Sequence, residues 1–209
     1  MATEPANPRY RSERSHKAIL DAALKLCLEQ GFAKTSVDAI AKEAGVGKQT
    51  IYRWWPSKAA VLVEAIDRQS APPIEFPDTG DIHADLRDQM VAVAKFFQTT
   101  QSSTYREVIG AAQSDPAAAQ AILDTLVNPR VQGCRRRLER AQQEGQIRAD
   151  AGLDDVVELI YAPLYYRLLL GTRPSTPEQV EDILNLVFDG LHPQNPSPPP
   201  TDDRPLPRA

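Results

Sequence analysis

The stretch SVDAIAKEAGVGKQTIYRWWPSK, Ser36 to Lys58, decides the fold. Val37, Ile40, Ala41 and Ala44 recur at helical spacing, so residues 37–44 read as a short helix, with Thr35 and Ser36 as its candidate N-caps. Gly45 breaks that helix and supplies a tight turn, and a second helix starts near Gly47 or Lys48 and runs to about Trp55. The small Ala41 lets the two helices cross closely, while Val46 and Ile51 anchor the second on the first; this is the composition of a helix-turn-helix. Lys48, Gln49, Thr50, Tyr52 and Arg53 are left on the outward face. They are the residue types that hydrogen-bond base edges and phosphates, so double-stranded DNA is the expected partner.

Working outward, Ile19, Ala22, Ala23, Leu26, Cys27 and Gln30 form the stripe of a preceding helix, with Gly31 placed to end it in a left-handed turn. Pro56-Ser57 opens a following helix through Lys58, Val61, Leu62, Ala65 and Ile66. The charge divides along the same line. The 209-residue chain carries a net charge of −4, but residues 9–60 hold ten Lys or Arg against five Asp or Glu, a balance of +5, leaving −9 elsewhere. A basic module on an acidic body suits contact with phosphate through the module alone.

The run from Ser36 to Lys58, with the helix before it, closely resembles the signature of the TetR family of transcriptional regulators over about residues 11–65. Two positions depart from that signature: Gly47 stands where the family usually has a serine or threonine cap, and Trp54-Trp55 replaces the usual histidine-phenylalanine. The resemblance implies an all-α fold of about nine helices, with an N-terminal three-helix DNA-binding domain and a C-terminal helical domain for ligand binding and dimerisation. It places base and phosphate contacts on Lys48, Gln49 and Thr50 at the start of the recognition helix, and phosphate contacts on Tyr52 and Lys58. Thr35 and Ser36 are further phosphate candidates at the start of the second helix, where backbone N–H groups point outward; Ser36 also reads as a cap alone, and Lys58 as a solvated charge. Trp55 reads as core, and Trp54 as facing DNA or solvent.

Beyond residue 80 the pattern stays helical. Leu86, Met90, Val93, Ala94 and Phe97 share one stripe, residues 105–112 form a shorter segment, and Asp115-Pro116 and Asn128-Pro129 each read as a cap and helix start. Val131, Cys134, Leu138 and Ala141 follow, and Gly145 ends that run. The next helix, beginning at Asp154 or Asp155, is apolar over too much of its circumference to contact only its own core, and Pro163 interrupts its hydrogen bonding. Thr176-Pro177-Glu178-Gln179 is a capping box that opens the last, strongly amphipathic helix. These two helices are where the family dimerises, and their surplus apolar surface argues independently for a homodimer. A twofold dimer of recognition helices reads a palindromic operator.

The division expected is a flexible arm at 1–10, the helix-turn-helix domain at 11–56, a regulatory and dimerisation domain at 57–191, and a disordered tail at 192–209 with seven of the eighteen prolines. The family's body holds an apolar effector pocket. Met90, Phe97, Tyr105, Cys134, Tyr161 and Tyr165 are the candidate lining residues, plain core being the other reading of each. Arg135, Arg136, Arg137 and Arg140 read as a solvated, paired face or as a site for an acidic effector. Cys27 and Cys134 read as buried thiols, and His16, His83 and His192 lie far apart with no partners at metal-ligand spacing, so no metal, cofactor or catalytic machinery is expected. The sequence shows neither a signal segment nor a membrane-spanning run, and the chain reads as cytoplasmic. The resemblance implies a repressor released by a small molecule; a DNA-binding or architectural protein without a small-molecule ligand is the alternative.

Overall fold

A computed structural model describes residues 8–69 and 76–191. The expected arm at 1–10 lies mostly outside those residues, and the proline-rich tail wholly so. The described chain is helical, with no strand: α1 (Pro8–Gln30), α2 (Val37–Ala44), α3 (Lys48–Tyr52), α4 (Lys58–Gln69), α5 (Ile82–Phe96), α6 (Gln101–Ala112), α7 (Pro116–Ile122), α8 (Asn128–Gln143), α9 (Leu153–Leu170) and α10 (Pro177–Leu191). A π turn at Leu123–Val127 joins α7 to α8 in one continuous rod, so the described residues contain nine separate rods.

That rod corrects one expectation. Asn128 is helical and its N–H bonds back five residues to the Leu123 carbonyl, so Asn128 is not a cap and Pro129 does not start a new helix. A proline inside an α-helix lacks a donor and crowds the carbonyl four residues earlier. The wider π turn just before Pro129 absorbs both defects. Asp115 behaves as expected, its carboxylate accepting from the Ala117 and Ala118 amides ahead of Pro116. At α10, Thr176 Oγ1 accepts from the Gln179 amide at 3.4 Å, but the Gln179 side chain accepts from Arg167 of α9 and leaves its half of the capping box unmade.

Two cores hold the rods together. The first gathers Ile19, Ala23, Ile40, Ile51, Trp55, Leu62 and Ile66 with Tyr105, Val108 and Leu126, so α4, α6 and α7 pack with the helix-turn-helix rather than apart from it. The second gathers Leu86, Met90, Cys134, Leu138, Ile160, Leu164 and Leu184 from α5, α8, α9 and α10. An ion pair fastens the second core: Arg137 Nε lies 2.7 Å from Asp85 Oδ2, both side chains buried, and Asp85 also accepts from the Thr79 amide and hydroxyl. Arg137 is thereby removed from the expected solvated arginine face, whereas Arg135 pairs with Glu139 and Asp154, and Arg140 with Asp78 and Glu144.

Gly45 is the hinge of the motif. Its φ of +65° is a left-handed conformation, and its N–H returns to the α2 carbonyls. An added methyl group there meets no neighbour within 4 Å, so Gly45→Ala is a test of conformation alone. It is expected to cost about 1–2 kcal/mol in chemical denaturation; no loss would show that the turn does not depend on glycine.

Candidate nucleic-acid interface

The geometry of α2 and α3 follows from the buried side of each helix. Ile40 and Ile51 are sealed in the first core and Ala41 lies beside them, which fixes the crossing and turns the opposite side of α3 to solvent. Regular helix ends at Tyr52 rather than near Trp55, although the Arg53 amide still bonds to Gln49 and the Trp54 and Trp55 amides to Ile51. Gly47 is the N-cap in extended backbone, with no side chain to cap the first amides of α3, and the Thr50 amide bonds to the Gly47 carbonyl at 2.8 Å.

Lys48, Gln49, Tyr52 and Arg53 are exposed, Tyr52 at 49%, and Thr50 is half-buried. Lys48 Nζ pairs with Asp38 at 2.9 Å and lies 5.9 Å from the Tyr52 ring centre. The hydrogen bond to Asp38 pushes the Lys48 ammonium above its ordinary pKa, keeping it charged. Ser36 is the N-cap of α2, its Oγ accepting from the Ala39 amide at 3.1 Å; its hydroxyl hydrogen remains to donate elsewhere.

Three of the expected contact residues have partners within the fold. Thr35 is 1% exposed and its hydroxyl donates to the Gly31 carbonyl at 2.9 Å, so its side chain serves the α1–α2 turn and does not reach a phosphate. Trp54 is half-buried and packs on His16 and Trp55, with ring centres 5.2 and 5.4 Å apart. Lys58 Nζ donates to the Phe32 and Thr35 carbonyls at 2.7 and 2.8 Å and lies 4.2 Å from the Phe32 ring centre. It ties α4 to the α1–α2 turn, with one ammonium hydrogen beyond those two bonds. Trp55 is core as expected, its indole N–H donating to Glu64 at 2.6 Å.

Glu64 and Asp67 make α4 the link between this face and the body. Glu64 accepts from Trp55, and its other oxygen lies 3.1 Å from His16 and 2.9 Å from Arg68. One turn on, Asp67 pairs with Arg130 of α8 at 2.9 Å. Arg130 lines a cavity of about 400 Å³ between α5, the π turn, α8 and α9, walled by Val93, Leu126, Val131, Val157 and Ala162 and edged by Glu158. Of the six expected lining residues, Tyr161 and Tyr165 line this cavity. Phe97 and Tyr105 line a narrow cleft adjoining it, which shares Val93, Leu126, Arg130 and Tyr165. Met90 and Cys134 are fully buried in the second core and line neither. Arg130 went unnoticed in the sequence, yet it sits four residues from both Leu126 and Cys134, a cation inside an apolar helical stripe.

Among the described residues, five of the eight large exposed apolar side chains lie on the last two helices. Leu159, Tyr166, Leu169 and Leu170 of α9 and Leu186 of α10 are open to solvent, Leu186 at 76%. No described helix is long and apolar enough to cross a membrane. Among the described residues, no group of three or more His, Cys, Asp or Glu is placed to hold a metal.

A small-residue crossing, a glycine turn and an outward polar face on α3 define a helix-turn-helix DNA-binding regulator. Residues 19–65 match the family described as bacterial regulatory proteins, tetR family, and residues 76–187 match the tetracyclin repressor-like C-terminal domain. The chain belongs to the TetR family. It is 35% identical over 183 residues to the HTH-type transcriptional regulator YdeS of Bacillus subtilis, covering 88% of this chain and 92% of that one. It is 30% identical over 162 residues to the DNA-binding transcriptional repressor TetR of Mycobacteroides abscessus, covering 77% and 85%. The crystal structure of the TetR family transcription regulator SCO0332 superposes with a TM-score of 0.69 at 33% identity, covering 86% of this chain and 99% of that chain.

Proposed function

We propose that this regulator is a cytoplasmic homodimeric repressor that binds a palindromic operator through Ser36, Lys48, Gln49, Thr50, Tyr52 and Arg53, and that a small molecule in the α5–α9 cavity releases it. The observation that carries the reading is a path from the cavity to the segment that follows the recognition helix: Arg130 pairs with Asp67, one turn of α4 leads back to Glu64, and Glu64 accepts from Trp55. A molecule that displaces Arg130 shifts α4, and α4 is fastened to the segment that follows α3. The coupling has physical content only if the two states of α4 bind DNA differently. An effector of this kind lowers operator affinity about 5–150-fold.

The dimer follows from the exposed stripe on α9 and α10, which needs a self-complementary partner across a twofold axis. Anisotropy titrations of a labelled operator, repeated with each small molecule that raises the protein's melting temperature, test the release step. The expected result is at least one stabilising compound that weakens DNA binding. Stabilising compounds that all leave DNA affinity unchanged would contradict release and favour a regulator without a coupled effector.

A further inference from the structure

The arginines of the body divide into two groups. Arg87, Arg130, Arg135, Arg137, Arg140 and Arg148 each form an ion pair with a described carboxylate. Arg106, Arg167 and Arg173 have no such partner among the described residues, yet all three line one cleft of about 470 Å³, where the start of α6 meets the end of α9 and the α9–α10 connection. The described lining of that cleft contains no Asp or Glu. Arg136 of α8 also lacks an ion pair among the described residues, but it lines no part of this cleft.

Two contacts hold the cleft in shape. The Gln98 side-chain amide donates to the Ser175 carbonyl and ties the α5–α6 connection to the α9–α10 connection. Half-buried Arg167 donates to the Gln179 side-chain carbonyl of α10, a neutral acceptor that satisfies one donor and leaves the charge unanswered. Like charges held together in a partly desolvated place repel. Burial holds the Arg167 guanidinium below its ordinary pKa and Arg173 pushes in the same direction, with Asp182 of α10 pulling the other way to a smaller extent. All three guanidiniums stay charged, as arginine does in proteins.

The cleft therefore lacks negative charge, and more than one unit of it. A carboxylate supplies a single charge. A phosphomonoester near neutral pH supplies about 1.5 to 2 charges on three acceptor oxygens, which planar guanidiniums bind in pairs. Phe97 and Leu168 give the same lining an apolar portion that inorganic phosphate would leave unused. We propose that this cleft binds a small organic phosphate, its phosphate group shared among Arg106, Arg167 and Arg173 and its apolar part against Phe97 and Leu168. The cleft shares no lining residue with the α5–α9 cavity, so this site stands whether or not that cavity takes an effector.

Calorimetric titration of the full-length protein at about pH 7.5 compares hexyl phosphate with hexanoate and with inorganic phosphate. Hexyl phosphate is expected to bind about tenfold or more tighter than either. Arg106→Gln and Arg173→Gln each remove one exposed guanidinium. Each is expected to weaken hexyl phosphate about tenfold, the loss of a charged hydrogen-bond donor, without lowering the melting temperature of the free protein. Arg136→Gln makes the same charge change outside the cleft and is expected to leave hexyl phosphate binding unaltered. Hexanoate or inorganic phosphate binding as tightly as hexyl phosphate, equal losses in all three variants, or no binding of hexyl phosphate would overturn the proposal. So would a loss of operator affinity in Arg106→Gln and Arg173→Gln with hexyl phosphate binding unchanged, which would assign these guanidiniums to the DNA backbone.

Discussion

Replacing Leu186 and Tyr166 together by arginine is expected to convert the protein to a monomer and to lower its affinity for operator DNA by about a thousandfold or more. Both side chains stand in solvent in the single chain, Leu186 at 76% and Tyr166 at 58%, so neither substitution removes a packed core group. The helical circular dichroism of each chain should therefore survive. What changes is the α9–α10 face, where two cations per protomer become like charges buried against each other across the twofold axis. A lone protomer keeps one recognition helix and about half the contacts. Specific protein–DNA affinities of about 10⁻⁸–10⁻¹¹ M then fall toward the non-specific range of about 10⁻⁴–10⁻⁶ M. Light scattering gives the mass and anisotropy gives the affinity. A variant that stays dimeric would move the interface elsewhere, and a monomer with undiminished affinity would contradict the need for two half-sites.

Gln49→Ala tests the reading face itself. Gln49 is exposed at the first turn of α3, so its truncation should leave the melting temperature within about 2 °C, since surface changes of this kind fall within about 0.5 kcal/mol. If its amide makes a bidentate contact to a base, the loss is about 1–3 kcal/mol for each half-site. Both protomers carry the change, so operator affinity is expected to fall by about 2–6 kcal/mol, with specificity relaxed at one position in each half-site. Lys48→Ala is the contrasting variant. A lysine spent on phosphate should weaken all sequences alike and reduce the slope of log affinity against log salt by about two for the dimer. Equal losses on specific and random DNA for Gln49→Ala would reassign it to the backbone.

Much of this was legible in the sequence because it rests on local rules. The α2 boundaries follow from Ser36 as cap and Gly45 as the left-handed stop, and both act within a few residues of where they stand. The surplus apolar surface of α9 was visible for a similar reason: Leu159 and Tyr166 fall on a stripe separate from Val156, Ile160 and Leu164. What the pattern hid was long-range. Lys58 and Thr35 carry residue types suited to phosphate, but the carbonyls that capture Lys58 come from Phe32 and Thr35, more than twenty positions earlier, and only the folded turn brings them together. Trp54 is drawn onto His16 of α1 in the same way.

Proline misled at one place. Pro116 opens α7 behind the Asp115 cap, whereas Pro129 sits inside a rod that widens into a π turn to accept it. The dipeptides Asp115-Pro116 and Asn128-Pro129 look alike, but the Asp115 carboxylate caps the Ala117 and Ala118 amides, whereas the Asn128 amide bonds back to Leu123 and continues the rod. The cavity was half legible. Tyrosines at 105, 161 and 165 gave polar handles in apolar runs, but Met90 and Cys134 have the same sequence character and are simply buried. Arg130 matters more than either, and its ion pair spans sixty-three positions to Asp67.

The central claim is that two copies of α3 read two halves of one symmetric DNA site. Selection of bound sequences from a random DNA pool by the full-length protein, followed by titration of the best site at two salt concentrations, tests it most directly. The account predicts an enriched palindrome with half-sites about one helical turn, or roughly 34–36 Å, apart, bound by two protomers with a steep inverse dependence on salt. No enriched sequence, or a single asymmetric half-site saturated by one protomer, would contradict it.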